Sequence, residues 1–492
     1  MNEEDVVDPL SLLEADTSLE AARPILELAA NYLTGTRSGE GPVSTWHSAE
    51  VIADRLNEPM PRRSRPLADV ARRLSTMLLD DVNRLAHPMY IGHQVSAPLP
   101  AAVWTDALIS ALNQSMAVRE MSPSFTPLEH QVVEWMTDLI GWDARAGGTM
   151  TSGGTEATLT ALLAARSRAV PTAWSHGLGE RVPVLVCGEH AHYAVSRAAG
   201  EMGLGVRRVI TIPGVGHRMS IPQLREKLSS LRASGTRVMA VVATAGCTAT
   251  GSFDDLNGVA DACDAFGDDH GPLWMHVDAA HGGAAMLSPT HAHRVAGIAR
   301  ARSVAWDPHK TLLLPLAAGL LLMREEHDLD AAFAQKAPYL FNHHDDARAW
   351  DMGPRSFQCS RRADVLKLWV AFQRYGADAL SSLYDKLCRT AQALHGLLEA
   401  HPQFAPLHEP MSNILCFAWN PPGVELADRD TLTNALRERY NRSGRGWITA
   451  TTLDGRRVLR VTVMNARTDV PHMEALVQGL EAEAAYVLKH HR

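Results

Sequence analysis

Two short stretches of this 492-residue chain carry side chains whose spacing suggests chemistry. Leu273-Trp-Met-His-Val-Asp278-Ala-Ala-His281-Gly-Gly283 is an apolar run closing on an acid, and Ser303-Val-Ala-Trp-Asp-Pro-His309-Lys310 is a second closing on His-Lys. Read as strands, they set Asp278 and Lys310 at strand ends, 32 residues apart in the chain. That pair is what a pyridoxal phosphate (PLP) site requires. A lysine amine condenses with the cofactor aldehyde, and a carboxylate beside the protonated ring nitrogen keeps the ring an electron sink. Taken singly, a strand-end Asp reads as a cap and a Lys as a solvated group. It is the pair, beside Gly-Gly and Pro-His, that points to the cofactor.

Other segments supply candidate contacts, each with a plainer reading beside it. Thr151-Ser-Gly-Gly154-Thr155-Glu opens a strong helix-forming run, and a Gly-rich turn at a helix start presents unpaired N–H groups to an anion such as a phosphate. The alternative is an ordinary capped helix with Thr155 as a local cap. No Gly-Lys-Ser/Thr follows, so this is not a P-loop. His192, in His190-Ala-His192-Tyr193, either stacks on a flat ring or is a surface histidine; no third ligand at a fitting spacing supports a metal. His343-His344-Asp345-Asp346 reads likewise as a solvated loop. In Thr244-Ala-Gly-Cys247-Thr248-Ala-Thr-Gly251 the small residues allow close backbone approach, so Thr248 either touches the cofactor or sits in a plain turn. Tyr339 falls in an irregular stretch of the kind that forms lids, where a phenol can act as a general acid.

The elements that must position these residues follow from patterning. Residues up to about 100 read as helices joined by polar, Pro-containing turns, with further helices over 104–118 and 126–141. From about 150, nearly continuous apolar strands (182–187, 206–213, 238–244, 273–278, 303–306, 319–323) alternate with helices. That pattern predicts a mainly parallel sheet covered on both faces. After a loop at about 336–358 and a long helical region come a strand over 414–419, a helix, a hairpin over 448–463 turned at Asp454-Gly455, and a closing helix. The expected division is a helical segment 1–100, a large domain 101–375 and a small α+β domain 376–492.

Bulk properties narrow the class. A net charge of −8 without a basic stripe argues against nucleic acid as a partner. No apolar run reaches the ~20 residues of a membrane span, and the acidic start does not read as a signal peptide. Six scattered cysteines without a Cys-x-x-Cys pair suit a reducing compartment, so the cytoplasm is expected, with no metal site.

With these motifs assembled, the chain resembles the PLP-dependent group II decarboxylases of the aspartate aminotransferase-like fold (PLP fold type I), which act on glutamate, cysteine sulfinate, aromatic amino acids or diaminobutyrate. The likeness runs from about His87 to Thr468. It includes His87-Pro-Met-Tyr, Asn113-Gln-Ser-Met, Ser152-Gly-Gly-Thr-Glu, His192-Tyr, Val277-Asp-Ala-Ala280, Asp307-Pro-His-Lys, Gln358-Cys-Ser-Arg-Arg and Leu459-Arg-Val-Thr-Val-Met-Asn465. The resemblance implies a seven-stranded sheet flanked by helices, a homodimer with segment 1–100 packing on the partner subunit, and an L-amino acid α-decarboxylase releasing carbon dioxide and a primary amine, with an acidic or small polar amino acid (glutamate, aspartate, cysteine sulfinate or diaminobutyrate) as the expected substrate. It implies that Lys310 binds the aldehyde, Asp278 the ring nitrogen, and Gly154, Thr155 and His309 the phosphate. His192 would stack on the ring, with Ala280 and Thr248 beside the cofactor. Tyr339 matches the loop tyrosine that protonates Cα, and Arg460 the arginine near the substrate α-carboxylate. His93 lies where family substrate pockets are lined. Arg119 either faces that pocket, favouring an acidic side chain, or pairs with Glu120 or Glu134. The runner-up is an oxygen-dependent aldehyde synthase or another fold type I enzyme; relatives of the former often carry Phe where this chain has Tyr339.

Overall fold

Seven strands form the central sheet of the computed structural model, which describes residues 9–268, 271–333 and 350–490. They are β1 (Gly147–Thr151), β2 (Val184–Gly188), β3 (Val209–Ile212), β4 (Val238–Thr244), β5 (Trp274–Asp278), β6 (Ser303–Trp306) and β7 (Gly319–Met323). Their order is β1-β7-β6-β5-β4-β2-β3. The pairs from β6 to β3 are parallel, and only β7 runs against its neighbours β6 and β1. The mainly parallel, seven-stranded sheet that the resemblance implies is therefore present, and the patterning itself gives six of its strands.

Successive side chains of a strand point to opposite faces, so a strand covered on both sides must be apolar at every position. In β4, Val241 and Ala243 enter one core while Ala240 and Val242 enter the other. The helix α2 (Gly154–Ala169) packs on the second face through Ala157, Ala161, Leu162 and Ala165; the alanines let it lie close to the strands. Upstream of it, α1 (Pro100–Leu112) starts with proline, whose missing N–H costs nothing there, and stops at Asn113 in the left-handed conformation (φ 46°). The long α3 (Val365–Glu399) is broken at Gly376 (φ 77°, ψ 157°).

The C-terminal sheet is antiparallel, in the order β8 (Phe404–Pro406), β9 (Ile414–Trp419), β11 (Arg456–Thr462), β10 (Thr449–Leu453). Its expected hairpin turns at Asp454 and Gly455, both at positive φ (49° and 73°), as a two-residue turn between twisted strands demands. Strand β1 was not expected, because Gly-Gly-Thr-Met-Thr has no apolar run. Its glycines are there for contact: a Cβ at Gly148 would stand 2.2 Å from the Leu321 carbonyl oxygen. Among the described residues no helix is long and apolar enough to cross a membrane.

Candidate active site

The site lies at the carboxyl ends of the central strands, where parallel sheets collect their ligands. Asp278 ends β5, level with Thr244 of β4 and Ala305 of β6. Lys310 follows β6 through a tight turn in which its N–H donates to the Asp307 carbonyl at 2.9 Å. Gly154 and Thr155 open α2. The fold brings Gly154, Thr155, His192, Thr248, Asp278, Ala280, His309 and Lys310 together around one cavity of about 320 Å³.

The electrostatics are those of a buried acid beside cations. Burial pushes the Asp278 carboxyl above its usual range; Lys310, the Ala280 N–H (3.1 Å) and His192 pull the other way. Lys310 Nζ stands 3.1 Å from Asp307 Oδ2, and Asp307 Oδ1 has no hydrogen-bond partner among the described residues. His309 is held twice by Ala318, its N–H donating to that carbonyl and its Nδ1 accepting that N–H, each at 3.1 Å. The ring proton therefore sits on Nε2. Burial lowers the His309 pKa first of all, and does the same for His192, whose Nδ1 accepts the Ala194 N–H at 3.3 Å.

These features fit PLP. The first turn of α2 has no side-chain cap, so its backbone donors are available to a phosphate. A Cβ at Gly154 would meet the Ala280 Cβ at 2.8 Å, and one at Gly153 the His309 ring at 3.1 Å, so the turn admits no side chain. A carboxyl buried as Asp278 is calls for a cationic partner such as a protonated ring nitrogen. The cavity volume suits a small cofactor.

Several supporting residues have no local sequence pattern. Glu156 Oε2 accepts from the Ser152 N–H (3.0 Å) and from Gln358 Nε2 (2.9 Å), the latter 202 positions away. Ser96 Oγ donates to the His309 carbonyl at 3.0 Å. Lys367, fully buried, donates to the Ala317 carbonyl at 2.7 Å and pairs with Asp364, tying down the turn after Lys310. The motifs holding Gln358, Lys367 and Asp307 are visible in the sequence; their contacts are not.

The expected substrate residues, His93, Arg119 and Arg460, are not in the lining of the cavity around Lys310. Arg460 is buried outside the lining of the Lys310 cavity. Its Nε donates to the Ala249 carbonyl at 3.1 Å and its Nη2 has no partner among the described residues. His93 is exposed, yet packing around the ring and the Arg460 guanidinium both lower its pKa. Arg119 is also exposed and absent from that lining; its N–H donates to Asp351 Oδ1 at 2.8 Å. Among the described residues its side chain makes no ion pair with Glu120 or Glu134. A neighbouring cavity of about 410 Å³, sharing Ser152, is walled by Asn113, Gln114, Ser115 and Arg361. Tyr339 and the His343–Asp346 stretch lie outside the described residues. Among the described residues no group of His, Cys, Asp and Glu could hold a metal ion.

A helix start without a side-chain cap among the described residues, a buried acid and a lysine around one cavity fit a PLP enzyme of the aminotransferase-like fold. Residues 50–420 match the family model of the pyridoxal-dependent decarboxylase conserved domain, and the chain belongs to that family. It is 33% identical over 441 residues to an L-2,4-diaminobutyrate decarboxylase of Rhizobium meliloti, covering 88% of this chain and 85% of the relative. It is 31% identical over 397 residues to the cysteine sulfinic acid decarboxylase of Mus musculus, covering 80% and 79%. The crystal structure of mouse CSAD in apo form superposes with a TM-score of 0.88 at 26% identity, over 97% of this chain and 99% of that one. The chain is thus a PLP-dependent amino acid decarboxylase, a carboxy-lyase.

Proposed function

We propose that the enzyme removes the α-carboxylate of a short, polar L-amino acid, with Lys310, Asp278 and Arg460 dividing the work. The observation that carries this reading is Lys310 beside the buried Asp278 in a cavity opened by the uncapped first turn of α2. When bound, PLP supplies the electron sink that lets carbon dioxide depart. Lys310 Nζ holds its aldehyde, and the Gly154 and Thr155 N–H groups with His309 hold its phosphate. Asp278 keeps a proton on its ring nitrogen, and His192 covers the ring face. Arg460 Nη2, without a partner among the described residues, would receive the substrate carboxylate, and the Tyr339 hydroxyl would return a proton to Cα. Ala280 and Thr248 close the cofactor cavity, and His93 borders the substrate beside Arg460.

The substrate class draws on relatives named for diaminobutyrate and cysteine sulfinate, both short and polar. Glutamate and aspartate belong to the same test, although the exposed Arg119 gives an acidic side chain no support within one protomer. We also propose a homodimer, because Trp104, Leu108 and Leu112 form an exposed apolar stripe along α1 that a second copy would cover. The helical segment 1–100 joins that contact, and the boundary between large and small domains falls at the Gly376 break. Free cysteines, five of the six buried, suit the reducing cytoplasm.

The test is to incubate the PLP-loaded enzyme with the standard L-amino acids, cysteine sulfinate, 2,4-diaminobutyrate and ornithine, and to identify products by mass spectrometry. The expected product is a primary amine one carbon dioxide lighter than a short polar substrate. Aldehyde with ammonia, or a keto acid, would overturn the reading.

A further inference from the structure

His281 stands between the two ends of the proposed site and has been given no part in it. It follows β5 by three residues, lines the Lys310 cavity and is 2% exposed. Its Nε2 lies 2.7 Å from Oδ1 of Asn413, a fully buried residue just before β9. Asn413 Nδ2 donates to the Val463 carbonyl at 2.7 Å, and the Val463 N–H donates back to the Asn413 carbonyl at 2.9 Å. Because the amide nitrogen must face that carbonyl, the amide oxygen faces the imidazole, and Nε2 carries the ring proton. Nδ1 is left as a lone pair without a donor among the described residues. Burial above all, with Lys310 and then Arg460 adding to it, pushes the His281 pKa down to about 3, so the ring is neutral and both cations lie within its electrostatic reach.

The backbone completes the connection. Thr311 Oγ1, next to Lys310, donates to the His281 carbonyl at 3.0 Å. Bonds therefore run from Thr311 through His281 and Asn413 to Val463, three residues past Arg460. They join the lysine end of the large sheet to the strand that carries the arginine. We propose that His281 is a positioning residue that fixes the separation between Lys310 and the Arg460 guanidinium, and so the seat of the amino acid's α-carboxylate. A phenyl ring would fill the same space but leave the Asn413 oxygen buried and unpaired, freeing the small sheet to shift. Glutamine, whose Nε2 reaches about as far as the imidazole Nε2, can still donate.

This rests on the roles proposed for Lys310 and Arg460, and the test separates the two. His281→Phe, His281→Gln, Asn413→Leu and the Phe/Leu double variant are compared with wild type for KM, kcat and PLP affinity by fluorescence titration. Lost positioning of a group that binds ground and transition states alike raises KM roughly tenfold in His281→Phe with kcat nearly constant. PLP affinity stays at the wild-type value, and His281→Gln recovers most of the loss. Asn413→Leu, which breaks the His281 bond and also the Nδ2 bond to the Val463 carbonyl, raises KM at least as much as His281→Phe, and the double variant is no worse than Asn413→Leu alone, since the His281 bond is already gone. Wild-type KM in His281→Phe, no recovery in Gln, or additive single effects would overturn the proposal. If His281→Phe does not fold, Asn413→Leu carries the same prediction. Absence of decarboxylation by wild type would instead defeat the underlying reading.

Discussion

At Asp278 the competing influences have a clear sign. Burial favours the neutral acid, while Lys310, the Ala280 N–H and His192 favour the carboxylate. A protonated ring nitrogen would tip that balance to the anion, and the anion would in turn hold the proton in place. Asp278→Asn keeps the shape and removes the charge. It is expected to bind PLP and yet lose roughly a hundredfold or more in kcat, the scale of removing one preorganised electrostatic partner; steady-state kinetics with a parallel cofactor titration checks both. The buried histidines make a second prediction at this scale. The pKa values of His276 and His281 are pushed down to about 3, against about 6.5 in an unfolded chain. Between those values the unfolded state binds more protons, so stability is full above about pH 6.5 and falls as pH drops towards 3, by up to about 1.4 kcal/mol per pH unit for each ring. Thermal midpoints measured against pH should show this acid limb, and His276→Leu should flatten it.

Among the elements, the buried pair Glu129–Arg361 joins the helix Phe125–Ile140 to the segment before α3, beside the Ser152 turn. Glu129 is fully buried and also accepts the Met150 N–H at 2.9 Å, while Arg361 Nη1 reaches it at 2.8 Å. Removing the cation strands a buried carboxylate, so Arg361→Met is expected to cost about 3–5 kcal/mol, read from the denaturation midpoint. On α1, Leu108→Glu places a charge in the exposed apolar stripe; if that stripe is the proposed dimer contact, light scattering should find a dimer for wild type and a monomer for the variant. Strands β4, β6, β7 and β9 were legible to the residue because each is an uninterrupted apolar run. Strand β1 was not, because its place depends on glycines packed against β7 rather than on apolar side chains. Asp278 and Lys310 were legible because their chemistry and their strand ends are both written locally. His281 lies in the same motif as Asp278, yet nothing local shows its bond, since its partner Asn413 is 132 positions away.

For the molecule as a whole, the large sheet lines the cavity around Lys310 and the small sheet carries Arg460, so the proposed site depends on how the two are held. Inter-sheet bonds do this at several points, including Arg460 Nε to the Ala249 carbonyl and the Cys416 thiol to the same oxygen at 3.2 Å. Contacts of this kind join residues far apart in sequence, so motifs show Arg460 and Lys310 themselves but not the bonds that hold them relative to one another. On the proposed mechanism, an amino acid loses its α-carboxylate at Lys310. The most direct measurement supplies the substrate labelled with carbon-13 at the carboxyl carbon and follows the label in wild type and in Lys310→Ala. Wild type should release labelled carbon dioxide in step with unlabelled amine, and the variant should release none. Label retained in a keto acid, or carbon dioxide still released by Lys310→Ala, would contradict the account.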